Sequence, residues 1–507
     1  MLLFLPHLIL GATLLLLIVG NLFQRGFRSS WLLATAGASL ALASLIFLRL
    51  RLPYALNSSA WWAGEGLVSS ISFNLDGISW QFALIVCSLI LAFFLLEVRK
   101  AITEPWLNWA AGLALAISSL FALVSGDWLT IAFFWVLVDA TTAILIFRLI
   151  SKAEQRHSAL ETLRANIAAS FLLMAANILA GSSGQTTSLL VLIAVALRLG
   201  IFTSLQVGNN LSELNWTQAG TLRLLPRASV LVLLARSGAL SGQVLVAILI
   251  LLFLSTLINT LRWWQIDNGI EYFERGFTSL AMLGSVTGQP GVALGFGLVA
   301  MTCSSLIYLA QNSGSFKWLV IVPAILIFTG LPFSQVINTG QTLSLSWTTV
   351  LFLPLHALLI AGLFRKPLVS SSSEPSGEPW MRTISLLGLF ILPVVFLVFI
   401  LVVPPALPLE TEFIWWPAVA VLLISLTVFI LGVRSHATIK LPTAWVNLSR
   451  EFFSLSWMKT AGSWVMVALD WILRMVNRVL EGQAGILWAL LLIALLLSVA
   501  SQFTQGG

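Results

Sequence analysis

The sequence predicts an all-α fold: a polytopic membrane helix bundle of about sixteen transmembrane helices, with a lateral amphipathic helix before the last span. Three observations carry that prediction. Of the 507 residues, 59% are hydrophobic and only 9% are charged, and mean hydropathy is +1.00. Apolar runs of roughly twenty residues, the length that spans a hydrocarbon core, recur along the whole chain. The connections between them sort their charges, with basic residues on one side and acidic residues concentrated on the other.

In chain order the runs lie near 2–20, 31–50, 77–97, 107–124, 127–148, 165–181, 187–206, 226–241, 243–262, 276–290, 293–311, 317–336, 345–365, 383–404, 413–434 and 484–502. The first has no basic start and no small-residue cleavage site, so it reads as a retained helix rather than a signal peptide. Glycines and prolines blur the edges of the runs near 226–241 and 276–311. When the sides are alternated, one face collects Arg25, Arg28, Arg99, Lys100, Lys152, Arg156, Arg164, Arg262, Arg275, Lys317, Lys366, Arg382, Arg434 and Lys440. The other receives little beyond Arg49, Arg51 and Arg236, and carries Glu65, Asp76, Asp127, Glu410 and Glu412. Basic residues favour the cytoplasmic side, which predicts both termini on the outer side. Topology also accounts for the net charge of +7, so no nucleic-acid partner is expected.

Polar or Gly-Pro sequence within apolar runs near 203–212 and 329–334 predicts two interrupted helices, tolerated at depth where protein or water satisfies the backbone. Residues 366–382, KPLVSSSSEPSGEPWMR, read as a cytoplasmic loop. Between 449 and 481, Phe452, Trp457, Val465, Trp471, Ile472 and Met475 recur at helical spacing, and Asp470, Arg474, Arg478 and Glu481 form a charged seam. That pattern predicts an amphipathic helix along the membrane surface, resting on lipid or acting as a strut against partner subunits.

The chemistry concentrates in 126–146, GDWLTIAFFWVLVDATTAILI, an apolar run with one carboxylate, Asp139, near its middle. An ionisable group at that depth costs about 2.5–3.5 kcal/mol on insertion scales, so it faces a partner or a water-filled cavity. The nearest candidate in another run is Arg198. Ion-pathway chemistry and a structural ion pair both fit. Arg223 and Arg227 flank Pro226 and read as a cytoplasmic helix start. His356, beside Pro354 in an apolar run, is the one deeply placed histidine and reads first as a satisfied core residue. Cys87 and Cys303 lie in apolar runs and imply neither a disulfide framework nor a metal cluster. The sequence holds no phosphate-binding glycine loop and no nucleophile–base pair outside the membrane. It therefore points to a non-catalytic subunit with no cofactor of its own.

Several segments together resemble a family. Phe73-Asn-Leu-Asp-Gly-Ile-Ser79, Phe134-Trp135 followed by Ala143-Ile-Leu-Ile146, Gly276-Phe-Thr-Ser-Leu-Ala-Met-Leu-Gly284 and Gly330-Leu-Pro332 occur in the order and spacing of one membrane-subunit family. The chain is similar to the antiporter-like membrane subunits shared by respiratory complex I, membrane-bound hydrogenases and multisubunit sodium/proton antiporters, as a diverged member of the long type with a C-terminal lateral helix. The resemblance implies residues 1–72 as N-terminal helices and outer loop, 73–365 as the antiporter-like helix core, 366–382 as the cytoplasmic loop, 383–434 as additional transmembrane helices, and 435–507 as the lateral helix and last span. It also implies a bacterial inner (plasma) membrane. The partners implied are the bilayer and other membrane subunits of one complex, paralogous antiporter-like subunits included.

The departures bear on mechanism. The family's helix-five glutamate position is Val136, with Asp139 three residues on and expected on roughly the same face. The helix-seven lysine aligns with Arg198, the helix-eight lysine or histidine falls near Arg227 or Ala228, the helix-eleven lysine aligns with Ser304, and the helix-twelve lysine falls near Gly340. A proton relay needs groups that cross their pKa. Buried lysine does so and arginine does not. Three readings stay open: a structural or weakly conducting paralogue with most conducting residues lost, an active proton- or cation-translocating subunit using Asp139 and Arg198, and an unrelated secondary transporter.

Overall fold

The computed structural model describes residues 2–23, 29–57, 71–100, 105–150, 152–179, 184–201, 214, 216–265, 269–311, 347–365, 379–402, 419–421 and 423–428. The chain divides into two compact units, Met1–Pro442 and Thr443–Gly507, and every described residue belongs to the first. The interruptions expected near 203–212 and 329–334, the loop 366–382 and the lateral helix 449–481 therefore lie outside the described residues.

The described residues of the first unit form a bundle of fourteen α-helices. They are α1 (Leu5–Phe23), α2 (Ser30–Leu48), α3 (Gly77–Leu96), α4 (Trp106–Val124), α5 (Trp128–Leu149), α6 (Ala153–Ile178), α7 (Gly184–Leu199), α8 (Trp216–Leu224), α9 (Ala228–Arg236), α10 (Gly242–Gln265), α11 (Ile270–Val286), α12 (Pro290–Gln311), α13 (Trp347–Arg365) and α14 (Pro379–Val402). Among them, seven helical segments are long and apolar enough to cross a membrane. The protein is thus an integral, polytopic membrane protein, as its composition requires. Helices suit that medium because they satisfy every interior backbone group internally. Where threonine or serine falls inside a span, its hydroxyl bonds back to the preceding turn, as Thr256 does to Leu252 O and Ser88 to Leu84 O, both at 2.7 Å.

Most helices pack against their sequence neighbours: α4 with α5, α5 with α6, α6 with α7, and α11 with both α10 and α12. Two helices sit at the centre. α3 is buried along nearly its whole length and meets α2, α4, α9, α12 and α14. α12 is equally enclosed, whereas α1 and α10 keep broad apolar faces outward. Small residues permit the tightest contact. A Cβ on Gly284 of α11 would lie 2.5 Å from the backbone nitrogen of Ala293 in α12, so the segment 276–284 closes this pair through its last glycine.

A departure from a purely helical fold stands at one end. Strands β1 (Tyr54–Asn57) and β2 (Ser72–Leu75) pair antiparallel, with Tyr54 opposite Leu75. β2 delivers Asp76, whose carboxylate caps α3 by accepting from Ser79 N at 2.8 Å while Ser79 Oγ accepts from Asp76 N, a reciprocal capping box. Asp127 caps α5 in the same way, accepting from Thr130 N at 2.7 Å and from Ser72 N at 3.1 Å. Arg236, at the end of α9, donates to Asp76 Oδ2 at 3.0 Å, and Arg49 lies over the Trp80 ring at 5.3 Å. Four of the charges assigned by sequence to the less basic face, Arg49, Asp76, Asp127 and Arg236, thus gather at this end.

Two boundaries differ from the sequence reading. The run expected at 226–241 is the second half of a broken helix, α8 and α9 joined by a single 3-10 turn, Leu225–Arg227, around Pro226. Proline lacks the N–H that a continuous helix needs there. α11 begins at Ile270 rather than near 276, so Glu271, Glu274 and Arg275 belong to a bundle helix and not to a loop.

Candidate functional site

Asp139 lies on α5, Arg198 in the last turn of α7, and Asn166 on the intervening α6. Arg198 grips Asp139 as a fork, Nη2 to Oδ1 at 2.7 Å and Nη1 to Oδ2 at 2.9 Å, with both side chains at most 5% exposed. This bidentate match of planar guanidinium and carboxylate is the strong form of ion pair. Asn166 Nδ2 adds a third bond to Asp139 Oδ1 at 3.2 Å. Two further bonds from Arg198 go to backbone, Nη2 to Trp135 O at 3.2 Å and Nη1 to Asn166 O at 3.4 Å, while its Nε–H has no protein partner. Its guanidinium also sits 4.5 Å from the centre of the Trp135 ring.

A second cluster of buried charge lies where α8, the broken turn, α11 and α12 meet. Glu271 and Glu274 of α11 are each 2% exposed. Arg223 reaches both neighbours, donating to Glu271 Oε2 at 3.0 Å and to Tyr308 Oη on α12 at 2.9 Å. Arg275 approaches the same Glu271 oxygen at 3.7 Å from one turn along α11. Arg227, freed of helix register by the Pro226 turn, forms an ion pair with Glu274. Tyr272 lies beneath two cations, Arg275 at 5.8 Å and one not yet named, Arg262, at 5.5 Å from its ring. Glu271 Oε1, Glu274 Oε2 and Tyr272 Oη have no protein hydrogen-bond partner. Buried polar oxygens of that kind are where ordered water binds.

A polar thread links the clusters. Trp135, stacked on Arg198, donates its indole N–H to Ser229 Oγ on α9 at 3.0 Å. Ser229 Oγ in turn lies 3.5 Å from Pro226 O, one residue before Arg227. Side chains and backbone groups thereby run from Asp139 through Arg198, Trp135 and Ser229 to Arg227, Glu274 and the Glu271–Arg223–Tyr308 group.

No protein-family model and no curated protein sequence matches this chain. Solved structures do match in fold. A chain of the Mrp complex from Dietzia sp. DQ12-45-1b superposes with a TM-score of 0.65 at 12% identity, covering 98% of this chain and 63% of its own length. A chain of respiratory complex I from Thermus thermophilus gives 0.56 at 16% identity, covering 78% of this chain and 98% of that one. A chain of the membrane-bound sulfane sulfur reductase, an archaeal respiratory membrane complex, gives 0.58 at 14% identity, with 96% and 99% covered. The fold is shared with chains of these three membrane complexes. This chain spans about 63% of the length of the Mrp complex chain it matches.

The alignment expected for α5 needs one correction. Val136 does not share the face of Asp139: it is 47% exposed on the outside of the bundle, while Asp139 is 3% exposed. Three residues advance a helix by about 300°, and the shortfall of about 60° carries Val136 out of the interior. Ser304, standing where the resemblance expects a lysine, is fully buried in α12 without a partner for its hydroxyl. Arg227 does stand at the start of a helix, α9, and both Arg223 and Arg227 lie within the bundle on buried glutamates. Arg262 and Arg275, counted among the loop cations, are likewise buried in α10 and α11. His356 sits edge-on to the rings of Phe277 and Phe296 at 5.5 and 5.2 Å. Gly340, Asp470, Arg474, Arg478 and Glu481 lie outside the described residues.

Glu271, Glu274, Arg275 and Tyr308 join the site without being candidates from sequence. A signal for the first three exists: charges at i, i+3 and i+4 leading directly into an apolar run, which is how a helix face extends by one more turn.

Proposed function

We propose that this chain is an antiporter-like subunit in the membrane arm of a multisubunit redox-driven or ion-pumping complex, where it holds structure and conducts weakly or not at all. The placement follows the fold shared with chains of the Mrp complex, complex I and the sulfane sulfur reductase. One observation carries the second half: each buried acid of the two clusters is held by arginine. Arg198 forks Asp139, Arg223 and Arg275 share Glu271, and Arg227 takes Glu274. A guanidinium keeps its proton in proteins, so these pairs lack the titratable base that a lysine provides. Lys100 and Lys152 flank helix ends, and no described transmembrane helix carries a lysine. In this reading the chain has about sixteen spans, the termini lie outside, 73–365 is the antiporter-like core, and 435–507 supplies a lateral helix whose seam, Asp470 to Glu481, meets other membrane subunits.

A specific observation favours a second reading, in which the chain translocates protons or another cation. The polar thread reaches from the first cluster to the Pro226 carbonyl beside the second, and three oxygens in the second cluster are unpartnered. Proton pumping per electron in reconstituted vesicles, normalised to assembled complex, separates the two. Asp139→Asn is expected to lower the yield of assembled complex and leave that ratio unchanged. A normally assembled variant with a reduced ratio would replace the structural reading with the conducting one.

A further inference from the structure

One arginine stands apart from both clusters and faces the other way. Arg164 lies on α6 and is exposed on the outside of the bundle. Among the described residues no acid pairs with it, whereas Arg198, Arg223 and Arg227 each hold a buried carboxylate. Its height follows from the contact of α5 with α6. The two helices join across residues 150–152 and run antiparallel, and Asn166 meets Asp139. Arg148, exposed near the end of α5, lies nine residues from Asp139, while Arg164 lies two residues from Asn166. At a rise of about 1.5 Å per residue, that difference sets Arg164 about 10 Å deeper than Arg148. It falls inside the apolar stretch Thr162–Ile178. Snorkelling toward the start of α6 shortens the distance to the headgroups without closing it. A cation at such depth is costly against lipid tails, so it faces a partner or water.

The face around it has the pattern of a helix-packing seam. Arg164, Ala168, Phe171, Ala175 and Ile178 follow at intervals of four, three, four and three, the spacing at which one helix packs along another. All five are exposed or half-buried, with Phe171 and Ile178 66% and 64% exposed, so the seam faces outward. Small residues alternate with large ones along it, which lets two helices approach closely in lipid. Arg164 is the one charge on the seam. A second copy of this chain, related by a two-fold axis along the membrane normal, would set Arg164 against Arg164. The occupant that fits brings an acid instead.

We propose that the outward face of α6 is the docking surface for a transmembrane helix of another membrane subunit, one that carries an Asp or Glu opposite Arg164. Ala168 and Ala175 leave room for large side chains of that helix, and Phe171 and Ile178 pack between them. The arginine–carboxylate pair, forked as at Asp139, fixes the depth at which the two helices meet. The proposal rests on reading the chain as one subunit of a larger complex, and is independent of whether it conducts ions.

The test places a benzophenone-bearing amino acid at position 171 in the assembled complex in its own membranes, with adducts mapped by peptide mass spectrometry after photolysis. Adducts are expected on a membrane-spanning peptide of another subunit that carries an acidic residue. Arg164→Glu sets like charges together and should cut the adduct yield about tenfold. Arg164→Lys keeps the charge and should keep most of the yield. Replacing the partner's acid with arginine should restore the yield to Arg164→Glu, which a misfolded chain would not allow. An adduct peptide without an acid, a yield unmoved by Arg164→Glu, or a reversed pair that fails to rescue would overturn the proposal. So would an equal loss of yield with Glu161→Gln, since Arg164 would then answer to an acid of its own chain. Adducts on lipid alone, in an intact complex, would overturn this inference and leave the complex reading standing. A chain that purifies free of other subunits would overturn both.

Discussion

The two buried charge clusters solve the same problem in different ways. Asp139 and Arg198 form a closed unit of one acid and one base, with two parallel hydrogen bonds, an amide from Asn166 and a ring over the guanidinium. The α8–α11–α12 cluster is branched, with Arg223, Arg227 and Arg275 distributed over Glu271 and Glu274 and with carboxylate oxygens left over. A closed pair fixes the contact of two helices and leaves the Arg198 Nε–H as its one unpartnered group. A branched cluster tolerates rearrangement, because Glu271 already serves two cations at unequal distances, 3.0 and 3.7 Å. Rigidity and adaptability thus sit a few side chains apart in one bundle, joined by Trp135 and Ser229.

The sharpest way to break that contrast is at its hub. Glu271→Ala leaves two buried arginines without their shared acid, and stranding a buried charge costs about 3–5 kcal/mol. The largest loss of assembled complex among these variants is expected here, read as the fraction surviving detergent extraction and as the midpoint of thermal unfolding. Glu274→Ala, which removes the ion-pair partner of Arg227 only, should cost less. If Glu274→Ala proves the worse of the two, Glu271 is not the hub.

The closed pair should answer to a different experiment. Arg198→Leu strands Asp139, which is 3% exposed, and is expected to destabilise by about 3 kcal/mol. Adding Asp139→Asn removes the stranded charge, so the double variant should recover part of the loss, with an interaction energy of about 1–3 kcal/mol in the cycle. The branched cluster should show no such clean rescue, because each ion pair there has a further charged neighbour. Additive costs at Asp139 and Arg198 would contradict the closed-pair description.

How much of this is legible in the sequence follows from the same contrast. Asp139 stands alone among apolar neighbours, so a single-residue anomaly exposes it, and the basic residue in another apolar run names its partner. Glu271, Glu274 and Arg275 stand in QIDNGIEYFER, where polar neighbours disguise a helix start as a loop. Hydropathy averages over a window, and a helix with a charged beginning loses that part to the average. The same averaging merges the Pro226 turn and α9 into one blurred run that begins at the proline. The hairpin β1–β2 gives no sequence signal because its strands are only four residues long, too short to establish an alternating pattern. The caps beside it, Asp76 and Asp127, look in the sequence like ordinary outer-face charges. The face of Val136 is ambiguous for a geometric reason: near the edge of a buried stripe, about 60° decides between core and surface.

The smallest effect tests the thread itself. The bond from Trp135 Nε1 to Ser229 Oγ joins side chains of α5 and α9 and carries no net charge. Trp135→Phe retains a ring for Arg198 to stack on and the backbone oxygen that Arg198 uses, and removes the indole donor together with part of a fully buried ring. Ser229→Ala should cost about 1 kcal/mol, the net worth of a buried neutral hydrogen bond. Trp135→Phe adds a cavity cost to that loss, and the double variant should cost little more than Trp135→Phe alone, because both remove the same bond. A thermal-unfolding cycle on the assembled complex measures this directly. If the two costs instead add within about 0.5 kcal/mol, the residues act independently and the thread is a coincidence of packing. If the double variant costs far more than the sum, the two clusters lean on each other through this contact, and closed pair and branched cluster should be treated as a single charged core.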